Sequence, residues 1–326
     1  MAKLTGVLLF VLWIANAHAN DLLMPGQTAP LPVAGFELVN RIPGSSLRQL
    51  PEKLPVFKRK PRVFSPSGLK ALLDQSSFAG TNISELLNPR ANQNQEHSAA
   101  RLSSRDGLDY FIVNPLEGRV ILNNSAKRGD QIPSADAVPP LESVRERALR
   151  LTEMLGVPTT EIERKADGSI RVVARENDRI QRGIKFKASR SVTMSRSIAG
   201  FPMLSQDDDK IHLQLGVNGR LLKFDLKWSV IDPVRTNYVL SVSKVLDAIK
   251  QGNVAADVMN EYPPGGVARI EIKDIRVVYY LPASLPSQNV PTSSEIRPLA
   301  SLHVIFKSKT GEKTEGGLIA PILDSR

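Results

Sequence analysis

One β-hairpin signal constrains the fold of this 326-residue chain more than any other local pattern. Between residues 211 and 217 aliphatic side chains alternate with polar ones, and Asn218-Gly219 then supplies the two residues that a type I′ turn favours. The return strand repeats the alternation and ends at Trp228. Because a period of two puts alternate side chains on one face of a strand, that face is predicted to be buried. The predicted inward set is Ile211, Leu213, Leu215, Val217, Leu222, Phe224, Leu226 and Trp228.

Other hairpin and helix patterns accompany this one. Residues 110–113 and 119–122 are β-rich runs joined by a turn that contains Pro and Gly. Apolar residues at helical spacing predict helices at 141–155 and 242–249, and a shorter helix after the Ser65-Pro66 cap. Tight turns outnumber connections long enough to cross over between parallel strands. We therefore predict an α+β fold, with antiparallel sheets and helices packed on one face.

The first nineteen residues have the form of a secretory signal peptide. Lys3 precedes an apolar run at 7–14, and Ala17-His18-Ala19 has the form of a signal-peptidase site before Asn20. The run is shorter than the about 20 residues that span a bilayer. The alternatives are an uncleaved anchor and a buried segment of a cytosolic domain. Without cysteine the chain forms no disulfide and carries no lipoprotein anchor. We expect a periplasmic or secreted protein after cleavage near Ala19.

Residues 20–62 are predicted to form a basic, proline-rich arm. Prolines at 43, 51, 55 and 61 remove backbone donors and keep the preceding residues extended, which favours a polyproline-like conformation. Seven Lys or Arg between 41 and 62 stand against the single acid Glu52. Such an arm either touches a partner or is solvated without one. The net charge of +10 favours anionic membrane, acidic polysaccharide or an acidic protein face as partner, and no nucleic acid is expected in an exported compartment.

Short motifs beyond residue 105 resemble PepSY-like domains, which occur in exported or membrane-tethered bacterial proteins of the YcdB-like and YycI-like kinds. The segments are Ser195–Met203, Ile211–Trp228 with its Asn218-Gly219 turn, Leu155–Val157, Ile249–Gly252, Ile275–Tyr280 and Arg297–Leu299, and the resemblance extends over about residues 105–324. It implies two PepSY-like portions and an inhibitory or regulatory module that binds a protease, a sensor kinase or another exported protein. It supplies no catalytic residues. The cleavable signal departs from the anchored YycI-like proteins.

These patterns predict five segments along the chain. A signal peptide (1–19) and the basic arm (20–62) come first. A region with one helix and one hairpin (63–138) follows, and it ends in a linker rich in Pro and Ala. A PepSY-like α+β portion (139–235) and a second α+β portion (236–326) complete the chain.

Common catalytic and metal-binding motifs are absent from the sequence. The chain has no G-x-S-x-G elbow, no H-E-x-x-H motif and no P-loop. Outside the signal peptide its histidines are His97 in a polar loop and His212 and His303 on predicted strands. The acidic run at 207–209 either contributes to a Ca²⁺ site or forms a solvated turn, and its adjacent side chains point in different directions. We predict no cofactor, no metal and no catalytic residue.

The strand predicted at 185–197 has two distinct faces. Arg190, Val192, Met194 and Arg196 share one face, while hydroxyl side chains line the other, which either binds a sugar or peptide or is exposed to water. The predicted partner-binding residues are Lys58, Arg59, Lys60, Arg62, Arg190 and Arg196. We predict a non-catalytic exported binding or regulatory protein that presents a sheet face or edge to a peptide or protein partner. The alternative is an exported hydrolase that acts on an envelope or extracellular polymer.

Overall fold

The chain forms two compact units. The computed structural model describes residues 28–30, 35–83, 99–124, 137–181, 183–204, 209–257, 262–280 and 295–323. Among the described residues, unit 1 comprises those within 28–58, 201–204 and 233–323, and unit 2 comprises those within 59–200 and 209–232. The predicted signal peptide lies outside the described residues. In the part of the chain that the structure describes, no helix has the length and apolar character needed to cross a membrane.

The elements are numbered here in chain order. The strands are β1 (Thr28–Pro30), β2 (Glu37–Asn40), β3 (Lys53–Lys60), β4 (Ala100–Ser103), β5 (Tyr110–Asn114), β6 (Arg119–Asn123), β7 (Val173–Gln181), β8 (Ile184–Ser195), β9 (Ser197–Ile198), β10 (Phe201–Leu204), β11 (Lys210–Gly216), β12 (Leu221–Lys227), β13 (Val230–Tyr238), β14 (Ala255–Asp257), β15 (Arg269–Tyr280), β16 (Glu295–Lys307) and β17 (Lys313–Pro321). The α-helices are α1 (Gly44–Arg48), α2 (Pro66–Leu73), α3 (Leu141–Met154) and α4 (Val242–Lys250).

Unit 2 is built on a seven-stranded antiparallel sheet in the order β4-β5-β6-β12-β11-β8-β7. The predicted hairpin is confirmed as β11 and β12, with positive φ at Asn218 (55°) and Gly219 (70°), as a type I′ turn requires. A β-bulge pairs Leu215 with Leu221 and leaves Leu222 as the extra residue. Leu221 is therefore buried and Leu222 is only half-buried, which corrects the predicted inward face.

The core of unit 2 lies on one face of this sheet. Phe111, Leu213, Phe224 and Trp228 are each 0% exposed there. Helix α2 begins as predicted, with the Ser65 side chain accepting a hydrogen bond from the Gly68 N–H at 3.3 Å and proline in the first turn. The predicted apolar stripe is Leu141, Val144, Ala148, Leu151 and Leu155, and all of it is buried except Leu141, which is half-buried. Helix α3 adds Thr152 to the core and ends just before Leu155.

Unit 1 is built around two long strands, β15 with 12 residues and β16 with 13. β15 and β16 pair antiparallel, and the order runs β1-β14-β17-β16-β15-β10. Parallel pairing occurs at both ends of β15, with β2 beside its first half and β10 beside its last residues. Ile270, Ile272, Val304 and Phe306 are fully buried, and α4 adds Ile249 to the same core.

The predicted fold class is wrong. The structure is sheet-rich, with 49% of it in strands and only 18% in helices. Its two sheets are mostly antiparallel, but the arrangement is not clearly one of helices packed on a sheet. The helix predictions located real elements, but the sequence understated the strands. In β7, for example, a run of polar and charged residues hides the alternation that indicates a strand.

The predicted basic arm differs from the structure within residues 37–60. This stretch forms β2, α1 and β3, and in β3 Leu54 and Val56 are 1% and 0% exposed while the lysines face outward. The Pro55 carbonyl accepts a hydrogen bond from the Tyr279 hydroxyl at 2.9 Å. Only two buried apolar side chains alternate in β3, which is too short a pattern to indicate a strand. The prolines of this stretch therefore favoured the prediction of an extended arm. Residues 20–27 and 31–34 lie outside the described chain.

Candidate functional site

Two of the predicted partner-binding arginines are buried inside unit 2. Arg196, 1% exposed, forms an ion pair with Asp209, donates from Nε to Glu161 at 2.8 Å and donates from Nη1 to the Ser229 carbonyl at 2.9 Å. Its guanidinium lies 5.1 Å from the centroid of the Trp228 ring, and Trp228 Nε1 donates to the same Glu161 oxygen at 3.1 Å. The donors of Arg196 are thus directed at groups within unit 2.

Arg62 is the second buried arginine of this group. It donates to the backbone carbonyls of Trp228 and, at 3.2 Å, of Gly156. Burial lowers the pKa of Arg62 below its usual range, and the nearby Arg196 lowers that pKa further. Arg59 Nη2 lies 4.0 Å from Asp209, next to the same cluster. In this structure neither Arg62 nor Arg196 offers its guanidinium to an external partner.

The other predicted binding residues lie nearer the surface. Lys58 and Lys60 are exposed on β3, and Lys60 forms an ion pair with Asp232. Arg190 is half-buried, donates from Nε to Glu176 at 2.7 Å and donates to two backbone carbonyls at 2.8 Å. The structure therefore gathers Arg59, Arg62 and Arg196 in a largely buried cluster inside unit 2, and it does not bring Lys58, Lys60 and Arg190 into that cluster. Partner contact through Lys58, Lys60 and Arg190 stays a prediction.

The face of the seven-stranded sheet that points away from the core is polar and positively charged. Strand alternation puts it opposite the buried Val192, Leu213 and Phe224. We call it the polar face, and its polar residues are Arg119, Asn123, Arg175, Asn177, Ser189, Ser191, Thr193, Lys210, His212, Gln214, Lys223, Asp225 and Lys227, while the apolar Val173 and Ile121 lie at the two ends of the His212 row, which runs from β7 to β6. Five members of this set are cations and one is a carboxylate, so the face has excess positive charge.

His212 lies in the middle of the polar face. Its Nδ1 is 2.9 Å from Thr193 Oγ1 on β8, and Asp225 on β12 is its register partner on the other side. Burial lowers the pKa of His212, Lys223 lowers it further together with Lys210 and Arg175, and Asp225 acts in the opposite direction. Together these causes favour the neutral imidazole, whose second nitrogen is left for a ligand.

Thr193, His212 and Asp225 form a row across three strands with the group types of a catalytic triad. A triad needs its carboxylate to orient the imidazole. Here the Asp225 oxygens each lie 3.4 Å from an Arg119 nitrogen, and among the described residues no hydrogen bond joins Asp225 to His212. The row is better arranged for hydrogen bonding to a ligand than for activating a nucleophile.

Strand β7 forms one edge of this sheet. It pairs with β8, and every side chain from Val173 to Ile180 is exposed, with Ile180 at 74%. Arg175 and Arg179 make no ion pair with any residue that the structure describes, whereas Glu176 pairs with both Lys187 and Arg190. An edge strand carries a row of unpaired backbone N–H and C=O groups on its outer side.

The remaining candidate residues from the sequence do not assemble into a site. His97 and the acids at 207 and 208 lie outside the described residues, while Asp209 is fully buried beside Arg196. His303 lies 3.5 Å from Glu315 in unit 1. Within the described ranges no group of three or more residues has the composition and placement of a metal site.

Sequence reasoning missed the cations of the polar face. It identified the hydroxyl row of β8 and placed His212 on a strand, but it did not identify Lys210, Lys223 and Arg175. Each of them lies an even number of residues from another polar-face residue of its strand, and this spacing was the sequence feature that could have placed them on that face.

No protein-family model matches this chain, and no curated protein matches it. The resemblance to PepSY-like domains therefore stays a prediction, and the geometry above is what supports a function.

Proposed function

We propose that this chain is a non-catalytic exported binding protein that adds an extended peptide segment of a protein partner to edge strand β7. The observation that carries the proposal is the exposure of β7 from Val173 to Ile180, with pairing to β8 on one side. In β-strand addition the main-chain hydrogen bonds provide affinity, and alternate side chains provide specificity. A regulatory module of the PepSY-like kind would use such an edge.

Charge supports an acidic partner segment. The extra residue of the bulge in this hairpin lies in β8, where Asn177 pairs with Ser189 and Asp178 with Lys187. β7 itself therefore keeps its alternation, and Arg175 and Arg179 lie on the same side of it. Side chains of an added strand would lie about 5 Å from those of β7, and each opposite-charge pair contributes roughly 0.2–1 kcal/mol. A segment with Asp or Glu at alternate positions is favoured.

The exported location rests on residues 1–19. Their charge, apolar run and small residues match the order of a secretory signal, which is the support for a periplasmic or secreted protein. Anionic membrane and acidic polysaccharide remain additional partners in this proposal, since the chain carries a net charge of +10.

The alternative function is an exported hydrolase that acts on an envelope or extracellular polymer. One observation favours it, the 2.9 Å contact between Thr193 Oγ1 and His212 Nδ1, which has the geometry of a hydroxyl next to a base. Turnover of such a polymer that disappears in Thr193→Val would establish the hydrolase.

Panning displayed random decapeptides against the purified protein is expected to enrich sequences with Asp or Glu at alternate positions. Arg175→Glu/Arg179→Glu should weaken binding of an enriched peptide about tenfold or more, because two favourable pairs become repulsive and 1.4 kcal/mol corresponds to tenfold. Fluorescence anisotropy of the labelled peptide measures the Kd.

The matched control for this experiment is Lys309→Glu/Lys313→Glu. It reverses two exposed lysines in unit 1 and changes the net charge by the same amount. If both double variants weaken binding equally, the effect comes from overall charge and the β7 proposal fails.

A further inference from the structure

The polar face carries cations that its own carboxylate does not neutralise. Asp225 is engaged by Arg119, and Lys210, Lys223 and Arg175 make no ion pair with any described residue. Lys210 and Lys223 are half-buried and Arg175 is exposed, so all three remain in contact with solvent. Lys227 is not counted among the cations available to a ligand, because its side chain is buried and already has an interaction partner. The three available cations surround His212.

The register fixes how far apart these cations are. Arg175, Ser191, Gln214 and Lys223 form one row across four neighbouring strands. At about 4.8 Å between strands this row is about 14 Å long, and Lys210, four residues from Gln214 along β11, lies about 13 Å from it. A single small anion is too short to contact all three cations. A polymer with repeated negative charges has the necessary length.

The groups between the cations indicate what kind of polymer fits. Thr193, Gln214 and the imidazole of His212 offer hydrogen-bonding groups, and Gln214 Nε2 and Asn177 Nδ2 are already oriented by Ser189 Oγ at 2.7 Å and 3.1 Å. Hydroxyl and amide groups suit the hydroxyls of sugars. A membrane surface would instead favour a cluster of apolar side chains that insert, whereas the apolar members of the His212 row are Val173, 52% exposed, and the half-buried Ile121 at the other end. A peptide would favour the strand edge.

We propose that the polar face binds an acidic polysaccharide, with its anionic groups against Lys210, Lys223 and Arg175 and its hydroxyls against Thr193, His212 and Gln214. This site goes beyond the proposed peptide site, because it uses the face of the sheet and not its edge. Arg175 borders both surfaces, so the test relies on Lys210 and Lys223, which lie two and three strands away from the β7 edge.

Binding to polygalacturonate, a polymer with one carboxylate per sugar, tests the proposal with the full chain. We expect binding to polygalacturonate and not to neutral dextran by isothermal titration calorimetry. Lys210→Ala/Lys223→Ala should weaken it at least tenfold, while Lys309→Ala/Lys313→Ala, matched in charge and located in unit 1, should change it less than twofold. Circular dichroism of each variant verifies that it is folded.

The His212 imidazole provides a second readout. Carboxylates bound beside it favour the imidazolium, so polygalacturonate should raise the pKa of His212 measured by NMR, while the NMR signals of the His303 ring in unit 1 should keep their positions. No binding, equal loss in both double variants, or an unmoved His212 pKa would overturn the proposal. So would binding of phosphatidylglycerol vesicles that is lost in Lys210→Ala/Lys223→Ala while polygalacturonate does not bind, since that result assigns the face to a membrane.

Discussion

Replacing Arg196 by methionine is expected to lower the free energy of unfolding by about 3–5 kcal/mol. The Arg196 and Asp209 side chains are 1% and 0% exposed, so the substitution leaves a buried carboxylate with only the more distant cation Arg59, whose Nη2 lies 4.0 Å away. The contacts to Glu161 and to the Ser229 carbonyl disappear at the same time. Urea unfolding followed by the fluorescence of Trp228, the one tryptophan outside residues 1–19, measures the loss.

The control for this prediction is Arg196→Met/Asp209→Leu. When apolar side chains replace both members of a buried ion pair, the cost is often small, so the double variant should recover much of the stability. Glu161 is 34% exposed and remains hydrated without Arg196. An Arg196→Met variant within 1 kcal/mol of the parent would contradict the internal role of the pair, and it would make Arg196 available to a partner again.

Replacing Gly68 by alanine is expected to destabilise unit 2 by about 2 kcal/mol, although alanine favours a helix by about 1 kcal/mol over glycine. A Cβ at this position in α2 would lie 2.2 Å from the carbonyl oxygen of Met154 and 2.6 Å from its carbonyl carbon. Both are backbone atoms, so no side-chain rotation relieves the overlap. Overpacking costs 1–3 kcal/mol and occasionally more, which exceeds the gain in propensity.

Gly44→Ala provides the matched comparison for Gly68→Ala. Gly44 begins α1, and no atom lies within 4 Å of a Cβ built there. This change should be neutral or stabilise by up to about 1 kcal/mol. Thermal unfolding of both variants gives the difference in Tm. If Gly68→Ala is as mild as Gly44→Ala, the close approach of α2 to the end of α3 is incorrect.

The elements that the sequence predicted well depend on a few neighbouring residues. Asn218-Gly219 has positive φ in the turn that it predicts, Ser65 caps α2, and the apolar stripe of α3 is buried. In each case the physical cause lies within one or two turns of chain. Local preference and tertiary structure agree at these positions.

The errors arise where the cause is distant along the chain. Arg62 and Trp228 are 166 residues apart, and no local pattern indicates that this arginine donates to that carbonyl. The bulge at Leu222 depends on how β11 and β12 pair, and it moves burial from Leu222 to Leu221. The class prediction failed for a related reason, because exposed strands such as β7 have no apolar face to reveal them.

The candidate site shows the same limit. The hydroxyl row of β8 and the outward direction of His212 follow from alternation alone. That Thr193, His212 and Asp225 share one row follows only from the register of three strands. The excess of cations around His212 could not be counted before that register was known.

Amide hydrogen exchange on β7 tests the proposed peptide site most directly. In an edge strand every second residue points its N–H away from the sheet, and an added strand pairs with those groups. With an enriched acidic peptide bound, alternate amides between Val173 and Gln181 should become protected, while those of β4 at the opposite edge should not change. Peptide binding that leaves every β7 amide exchanging at its original rate would contradict the account.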